Sequence, residues 1–317
     1  SAFKPFVFAA ALERGLSPVS TLSGLNEIAP QGPDEWTPRN AHDDAPNELS
    51  LRAALIESNN RAATLLQQQI GSERVLRIAS RAGLDDLPDV PSLALGSGLV
   101  TPLAITTAFA VFPNGGMRVQ PRDITRVRDA GGSTAFQTRI EGDRVISPEV
   151  AYQMVSMLTD AIDRGTGSPA RQAGIRFPVG GKTGTTNEFK DAWFVGFSSS
   201  MVAGVWVGFD QPQPIGSEGY GARYALPIWA DFMQRTAKLR VPGEFERPAG
   251  LTEESLCAIS YRQPVDGCPL YTEYFKEGDD VPDRLCTIHR GSIRQRLTRT
   301  VQGWVSEAGR RIRGIFR

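Results

Sequence analysis

From Gly181 the chain reads GKTGTT, then, a few residues on, DAWFVGF, a polar SSS and MVAGVWVGF. The last two runs are rich in β-branched and aromatic residues, and the tight polar turn between them predicts a β-hairpin with GKTGTT as a neighbouring strand. Strands with that much apolar surface need cover on their faces. RYALPIWADFMQRTAKL supplies it, reading as a helix laid on the sheet with Pro227 expected near its first turn, where a missing N–H costs little. Any fold for this chain has to accommodate that sheet edge and its covering helix.

Before Gly180 the sequence predicts helices. FKPFVFAAALERG is an apolar helix closed near Gly15, with Pro5 in its first turn and Ser1 and Lys4 at its start. Residues from about Ser20 to Asn47, with EWTPRN in their midst, carry turn formers and read as a surface loop. Two short helices follow, LSLRAALIE capped by Ser50 and NNRAATLLQQQIG stopped at Gly71, with Ser58 and Asn60 at their joint. SERVLRIASRAG, TPLAITTAFAVF with Thr101 as cap, and SPEVAYQMVSMLTDAID with Ser147 as cap complete the helical part, the last placing Val150, Met154, Leu158 and Ile162 on one face. The predicted fold class is α+β, a mainly antiparallel sheet flanked by helices. Three strands are few for a chain of 317 residues, so further strands are expected upstream of Ser1.

The 35 basic and 35 acidic side chains cancel, which gives a polyanion-binding role no support and predicts no nucleic-acid partner. No stretch is apolar enough to cross a membrane, and no secretory signal opens the chain. A sequence starting SAFKPF without methionine is nevertheless expected to have lost an upstream segment.

Three short motifs stand in order: SAFK at Ser1 to Lys4, SNN at Ser58 to Asn60, and KTGT at Lys182 to Thr185. Read singly, they are an N-cap serine with a solvent-facing lysine, a pair of helix caps and a glycine-marked bulge in an edge strand. Read together, they make a chemistry. A serine hydroxyl is a poor nucleophile near neutral pH and needs a base. Lys4 lies one turn beyond Ser1 and can reach it, provided that burial and a second cation at Lys182 keep it partly neutral. Ser58 can pass a proton between the lysines and a leaving amine, while Asn60 can accept from Lys4 and donate to a substrate carbonyl. Gly184 lets an extended substrate lie along the strand, with Lys182, Thr183 and Thr185 suited to a carboxylate. The backbone N–H groups of Ser1 and Thr185 form the expected oxyanion pair.

Ser-x-x-Lys, Ser-Asp-Asn and Lys-Thr-Gly in this order are the signature of penicillin-binding proteins and serine β-lactamases, which SAFK, SNN and KTG resemble. The likeness also takes in WTPRNAHD, LRAALIESNNRAA, LALGSGLVTPLAITTAFAVFPNGG, IDRGTG and YGARYALPIWADFM, so that residues 1 to about 239 resemble the transpeptidase domain of bifunctional, class A penicillin-binding proteins. The resemblance implies a D,D-transpeptidase that cross-links peptidoglycan stem peptides through an acyl-serine and is acylated by β-lactams. It implies Ser1 as nucleophile, Lys4 as base, Ser58, Asn60 and Lys182 as catalytic partners, and Trp36, Thr183, Gly184, Thr185 and Thr186 as substrate-binding residues, with no cofactor and no metal. It also implies an upstream glycosyltransferase domain and membrane anchor, partners in cell-wall synthesis, and an extracytoplasmic or periplasmic location tethered to the cytoplasmic membrane. A true chain start at Ser1 would place an ammonium beside the oxyanion pocket, and a native start there is not expected. Rival readings are a D,D-carboxypeptidase or β-lactamase, for which Glu57 and Glu188 are the acids nearest the motifs, and a non-catalytic wall-binding or β-lactam-sensing module.

The expected division is a transpeptidase domain over 1–240, a cysteine-containing, turn-rich extension over 241–290 that begins with the linker RVPGEFERPAG, and a basic amphipathic tail over 291–317. Cys257, Cys268, Cys286 and His289 can be written as a Cys3His zinc set, although the first spacing is long and an extracytoplasmic site favours disulfides. Similar proteins place cysteines around a comparable EYF…C stretch, which implies a Cys268–Cys286 pair. The tail holds eight arginines between Arg290 and Arg317 against one acid, Glu307, around an apolar stripe suited to docking on the domain or on an anionic membrane surface.

Overall fold

The computed structural model describes residues 1–29, 36–40, 46–139, 141–216 and 218–291. The basic tail from residue 292 onward, and the helical spacing expected there, lie outside the described residues. In chain order the elements are helix α1 (Lys4–Glu13), strands β1 (Thr21–Ser23) and β2 (Glu48–Ser50), helices α2 (Leu51–Ile56), α3 (Asn60–Ile70), α4 (Ser72–Ala82) and α5 (Pro102–Phe109). Short strands β3 (Met117–Val119), β4 (Arg126–Arg128), β5 (Thr134–Gln137) and β6 (Gly142–Arg144) precede helices α6 (Pro148–Asp163) and α7 (Pro169–Gln172). Strands β7 (Gly180–Thr185), β8 (Asp191–Phe197) and β9 (Val202–Gly208), helix α8 (Gly221–Ala237), and strands β10 (Leu251–Cys257) and β11 (Leu270–Lys276) complete it. The fold is mixed α+β, with antiparallel sheets flanked by helices.

α1 is apolar all round, and every residue from Lys4 to Leu12 is buried. A helix of that kind belongs at the centre of a core. Its Phe6 ring meets Phe109 and Phe112 at centroid distances of 5.7 and 5.5 Å. α6 buries the predicted face, with Val150, Met154, Leu158 and Ile162 inaccessible to solvent. The caps Ser50, Thr101 and Ser147 each accept from the backbone N–H three residues on.

β7, β8 and β9 form the expected antiparallel sheet in sequential order, with Gly184 opposite Trp193 and Trp193 opposite Trp206. Helices cover both faces. Val195 and Phe197 join the core built on α1, α2, α3 and α6, whereas Phe194 packs on Trp229 of α8 with centroids 4.7 Å apart. Burial on two sides explains why DAWFVGF reads as one apolar run instead of an alternation. Pro227 departs from expectation by lying inside α8 and not in its first turn. Short strand pairs β1–β2, β3–β6 and β4–β5 also form, strands that the sequence reading did not assign, β1 lying in the stretch expected as a loop.

The segment after α8 is more ordered than its composition suggests. Phe245 of RVPGEFERPAG stacks edge-on against Phe197 at 5.7 Å. β10 and β11 pair antiparallel from Leu251–Lys276 to Cys257–Leu270. Cys257, Cys268 and Cys286 are free thiols, so the implied Cys268–Cys286 disulfide is not made. β11 inserts Glu273, fully buried, against Arg52 of α2, itself 1 % exposed. The contact is bidentate, with Arg52 Nε donating at 2.7 Å and its terminal nitrogen at 2.5 Å, and Arg52 also reaches Asp160 of α6 at 2.7 Å.

Removing one partner of such a pair leaves a buried charge uncompensated. Glu273→Gln should lower the unfolding free energy by about 3–5 kcal/mol, read as a fall in denaturant midpoint. The double change Arg52→Met with Glu273→Leu should recover most of that loss. An unchanged midpoint in Glu273→Gln would show that the pair does not hold β11 to α2.

Candidate active site

Lys4 opens a helix that has no solvent-facing side, so its amine is confined to the interior. There Nζ donates to the Ser58 carbonyl at 2.5 Å, to Asn60 Oδ1 at 2.5 Å and to Ser58 Oγ at 3.1 Å. Lys182, brought up by β7 and 1 % exposed, donates to the same Ser58 Oγ at 2.7 Å and to its neighbour's carbonyl, Thr183 O, at 3.3 Å. The three motifs therefore meet on one hydroxyl. Ser58 sits between α2 and α3 with φ of +57°, a conformation uncommon for a residue with a side chain and typical of strained functional positions.

Its neighbours hold it there. Asn59, not Ser58 or Asn60, caps α3 by accepting from Ala62 N at 2.9 Å, which corrects the reading of those two residues as caps. Asn60 is the first residue of α3, and its Nδ2 donates to Arg39 O at 2.5 Å. Asn40 Oδ1 accepts from the Asn60 and Arg61 N–H groups at 2.8 and 3.2 Å. The stretch carrying Trp36 is thereby docked on the start of α3. Asn40 was not singled out in the sequence, although WTPRNAHD contained it.

Burial disfavours a charged amine, and two amines facing one oxygen disfavour it further. Burial pushes Lys182 down to about 7. Burial first, then the Lys182 charge, hold Lys4 well below the usual lysine range. Once one amine is neutral, the Ser58 hydroxyl can donate to it while accepting from the other.

Above this network lies a cleft of about 730 Å³, lined by Ser1, Trp36, Asn60, Gly184, Thr185 and Thr186 among others. The Ser1 carbonyl accepts from Lys4 N at 3.2 Å, and the Ser1 nitrogen donates to Leu95 O at 2.8 Å. Thr185 Oγ1 accepts from Gly221 N at 3.1 Å, and Thr186 Oγ1 accepts from Asp191 N at 2.8 Å. Thr183 turns inward, donating to Thr166 Oγ1 at 3.0 Å. Thr166 had no role in the sequence reading, and its signal was the stretch IDRGTG. Trp193 and Trp206 line the cleft as well, Trp206 donating from Nε1 to Asp191 Oδ1 at 2.7 Å. They were legible only as strand residues.

Gly184 is required by close approach. A Cβ there would lie 2.9 Å from Trp193 Cβ and 3.4 Å from Ala2 Cβ, so a side chain would push β7 away from the residue after Ser1. Gly221 is tighter still, with a Cβ 2.5 Å from Gly184 O. The two glycines seat α8 on β7 and β7 on the start of the chain.

Residues 1–234 match the family model of the penicillin binding protein transpeptidase domain. The chain belongs to that family. It is 38 % identical over 251 residues to penicillin-binding protein 1A of Aquifex aeolicus, covering 78 % of this chain and 34 % of that protein. It is 33 % identical over 340 residues to penicillin-binding protein 1A of Pseudomonas aeruginosa, covering 89 % of this chain and 41 % of that protein. The crystal structure of penicillin-binding protein 1A from Haemophilus influenzae superposes with a TM-score of 0.81 at 30 % identity, over 90 % of this chain and 48 % of that one. The chain thus spans 34 % to 41 % of the length of these two sequence relatives.

The depressed Lys182 value makes a stability prediction. Folded Lys182 loses its proton near 7 and the unfolded residue near 10.5, so the unfolded state binds more protons between those values. Burial of the charge therefore costs stability fully below about 7, and the cost fades as pH rises toward 10.5. The unfolding free energy should climb across that window by an amount on the order of a few kcal/mol, with Lys4 contributing in the same direction. Lys182→Met should flatten the climb, as read from denaturant unfolding at several pH values; an equal slope in both proteins would refute the burial argument.

Proposed function

We propose that this chain is a serine D,D-transpeptidase domain that joins peptidoglycan stem peptides and is acylated by β-lactams at Ser1. The observation that carries the reading is the convergence of Lys4 and Lys182 on Ser58 Oγ beneath a cleft lined by Ser1 and the Gly184–Thr186 strand end. Ser1 Oγ attacks the carbonyl carbon of a terminal D-alanyl-D-alanine bond while its proton passes to neutral Lys4 Nζ. The resulting oxyanion faces the Thr185 backbone N–H, the Ser1 nitrogen being engaged with Leu95 O at 2.8 Å. As the C–N bond breaks, the Ser58 hydroxyl donates a proton to the departing D-alanine amine and is reprotonated from the lysines. An acceptor amine then attacks the acyl-Ser1 ester, giving up a proton to the same network, and the Ser1 hydroxyl is restored. A β-lactam opens by the same attack, but its leaving nitrogen stays tethered to the acyl group.

Trp36, Trp193 and Trp206 suit the apolar parts of such a substrate, while the Thr185 and Thr186 hydroxyls suit its carboxylate. Against hydrolysis of the acyl-enzyme stands the placement of the acids. Glu57 and Glu188 are exposed, and the acid lining the cleft among the described residues is Asp191, already bonded to Trp206. Transfer to an amine accordingly fits better than the carboxypeptidase or β-lactamase reading. In its full-length setting the domain would work outside the cytoplasm, tethered to the cytoplasmic membrane beside a glycan-polymerising domain and other cell-wall synthesis partners.

Intact mass before and after incubation with a penicillin tests the proposal. The wild type should gain one penicilloyl adduct that persists for hours, and Ser1→Ala should gain none. Lys4→Ala should slow acylation by roughly 10²–10⁴-fold with a smaller effect on initial binding. The wild-type rate should rise with pH over a range well below the usual lysine value, as Lys4, held down by burial and the Lys182 charge, loses its proton. An adduct on Ser1→Ala, or turnover within seconds, would overturn the assignment.

A further inference from the structure

Beyond the transpeptidase site, the four residues Cys257, Cys268, Cys286 and His289 meet at the foot of the β10–β11 pair. Cys257 ends β10, Cys268 lies two residues before β11, and Cys286 and His289 come from the strand-free stretch that follows. Their ligand atoms all lie within 4.8 Å of one another. His289 Nδ1 stands 3.3 Å from the sulfurs of Cys268 and Cys286 and 3.6 Å from that of Cys257. Cys257 and Cys286 Sγ are 3.7 Å apart.

Hydrogen bonding does not explain this arrangement, since one imidazole nitrogen offers a single proton or a single lone pair and cannot serve three sulfurs. Metal geometry does. With Zn–S near 2.3 Å and Zn–N near 2.0–2.1 Å, the edges of a tetrahedron come to about 3.8 Å between sulfurs and about 3.6 Å between sulfur and nitrogen. The distances above are close to those edges. We propose that the extension holds one structural zinc ion through Cys257, Cys268 and Cys286 Sγ and His289 Nδ1.

Three further observations fit this donor set. Cys257 and Cys286 are fully buried and Cys268 and His289 half-buried, as in a closed four-ligand site with no open position for water or substrate. Val265 N donates to Cys268 Sγ at 3.3 Å, a bond that stabilises a thiolate. The apolar core at this end is small, with Val265 and Leu285 packed about the cysteines, and a module with so little to bury needs a staple. The Cys-x-x-His spacing of Cys286 and His289 brings two ligands from one turn, and the Gln263–Leu285 bridge sets that turn beside Cys268. Binding displaces the three thiol protons and leaves imidazole neutral, so the four donors carry three negative charges against the two of the ion. The site would fix the ends of β10 and β11, and with them Glu273 against Arg52.

The test uses the 317-residue chain purified under reducing conditions without chelator. Elemental analysis should return one zinc per chain. After removal of zinc, titration with cobalt(II) should give the visible bands of a tetrahedral site and a thiolate-to-cobalt charge-transfer band that saturates at one equivalent. Cys286→Ser and His289→Ala should lose or shift these bands, whereas His42→Ala, which changes the chain's other histidine, should keep them. Chelator should lower the melting temperature of the wild type. Absence of both zinc and cobalt bands in the wild type would overturn the proposal. So would bands that survive in both ligand variants, or an as-isolated mass two hydrogens short that reports a disulfide among these cysteines. None of these readouts depends on acylation, so the outcome is independent of the transpeptidase assignment.

Discussion

Two amines buried around one hydroxyl are the constraint from which the rest of this site follows. Ser58 Oγ receives Lys182 at 2.7 Å and Lys4 at 3.1 Å, and both amines are buried away from water. A lone ammonium in that position pays the cost of leaving water, and a second one adds repulsion. Burial brings Lys182 down to about 7 and holds Lys4 well below the usual lysine range, which turns residues that ordinarily only donate into ones that can accept. The Ser58 backbone, held at positive φ, keeps the oxygen where both amines can use it.

The surrounding fold exists to make this arrangement unavoidable. α1 is apolar on every side, so its first residue cannot swing its amine into solvent. β7 carries Lys182 inward because α6 and α8 cover the two faces of its sheet. Gly184 and Gly221 remove the side chains that would hold β7 away from Ala2 or α8 away from β7. At longer range, Arg52 anchors α2, which ends just before Ser58, to Glu273 on β11 and Asp160 on α6. The extension is therefore part of the frame behind the buried lysine pair, although it contributes no side chain to the cleft.

Much of this was legible in the sequence because the signals were local. The caps Ser50, Thr101 and Ser147, the left-handed glycine at Gly83 and the hairpin of β8 and β9 each follow from a few neighbouring residues. The motif residues were legible as a set because their order resembles the signature of a known family, with Lys4 three residues from Ser1. What escaped depends on contacts between distant segments. Asn40 acts by reaching α3, Thr166 by meeting Thr183, and Phe245 by landing on Phe197. β10, LTEESLC, hides its strand character behind two glutamates, and its pairing became visible only beside β11. Pro227 was misplaced for the opposite reason, since a local preference for the first turn gave way to the packing of α8 on the sheet. The cysteines were misread as a disulfide pair because compartment chemistry was weighed where only the fold could show four donors converging.

The central claim is that the folded protein cannot keep both buried lysines protonated at neutral pH. The most direct measurement is an NMR titration of the Lys4 and Lys182 side chains in isotopically labelled protein, assigned with single Lys→Arg variants. The account predicts that Lys182 gives up its proton near pH 7 and that Lys4 also loses its proton well below the usual lysine range. Retention of both protons until the ordinary lysine value of about 10.5 would contradict it.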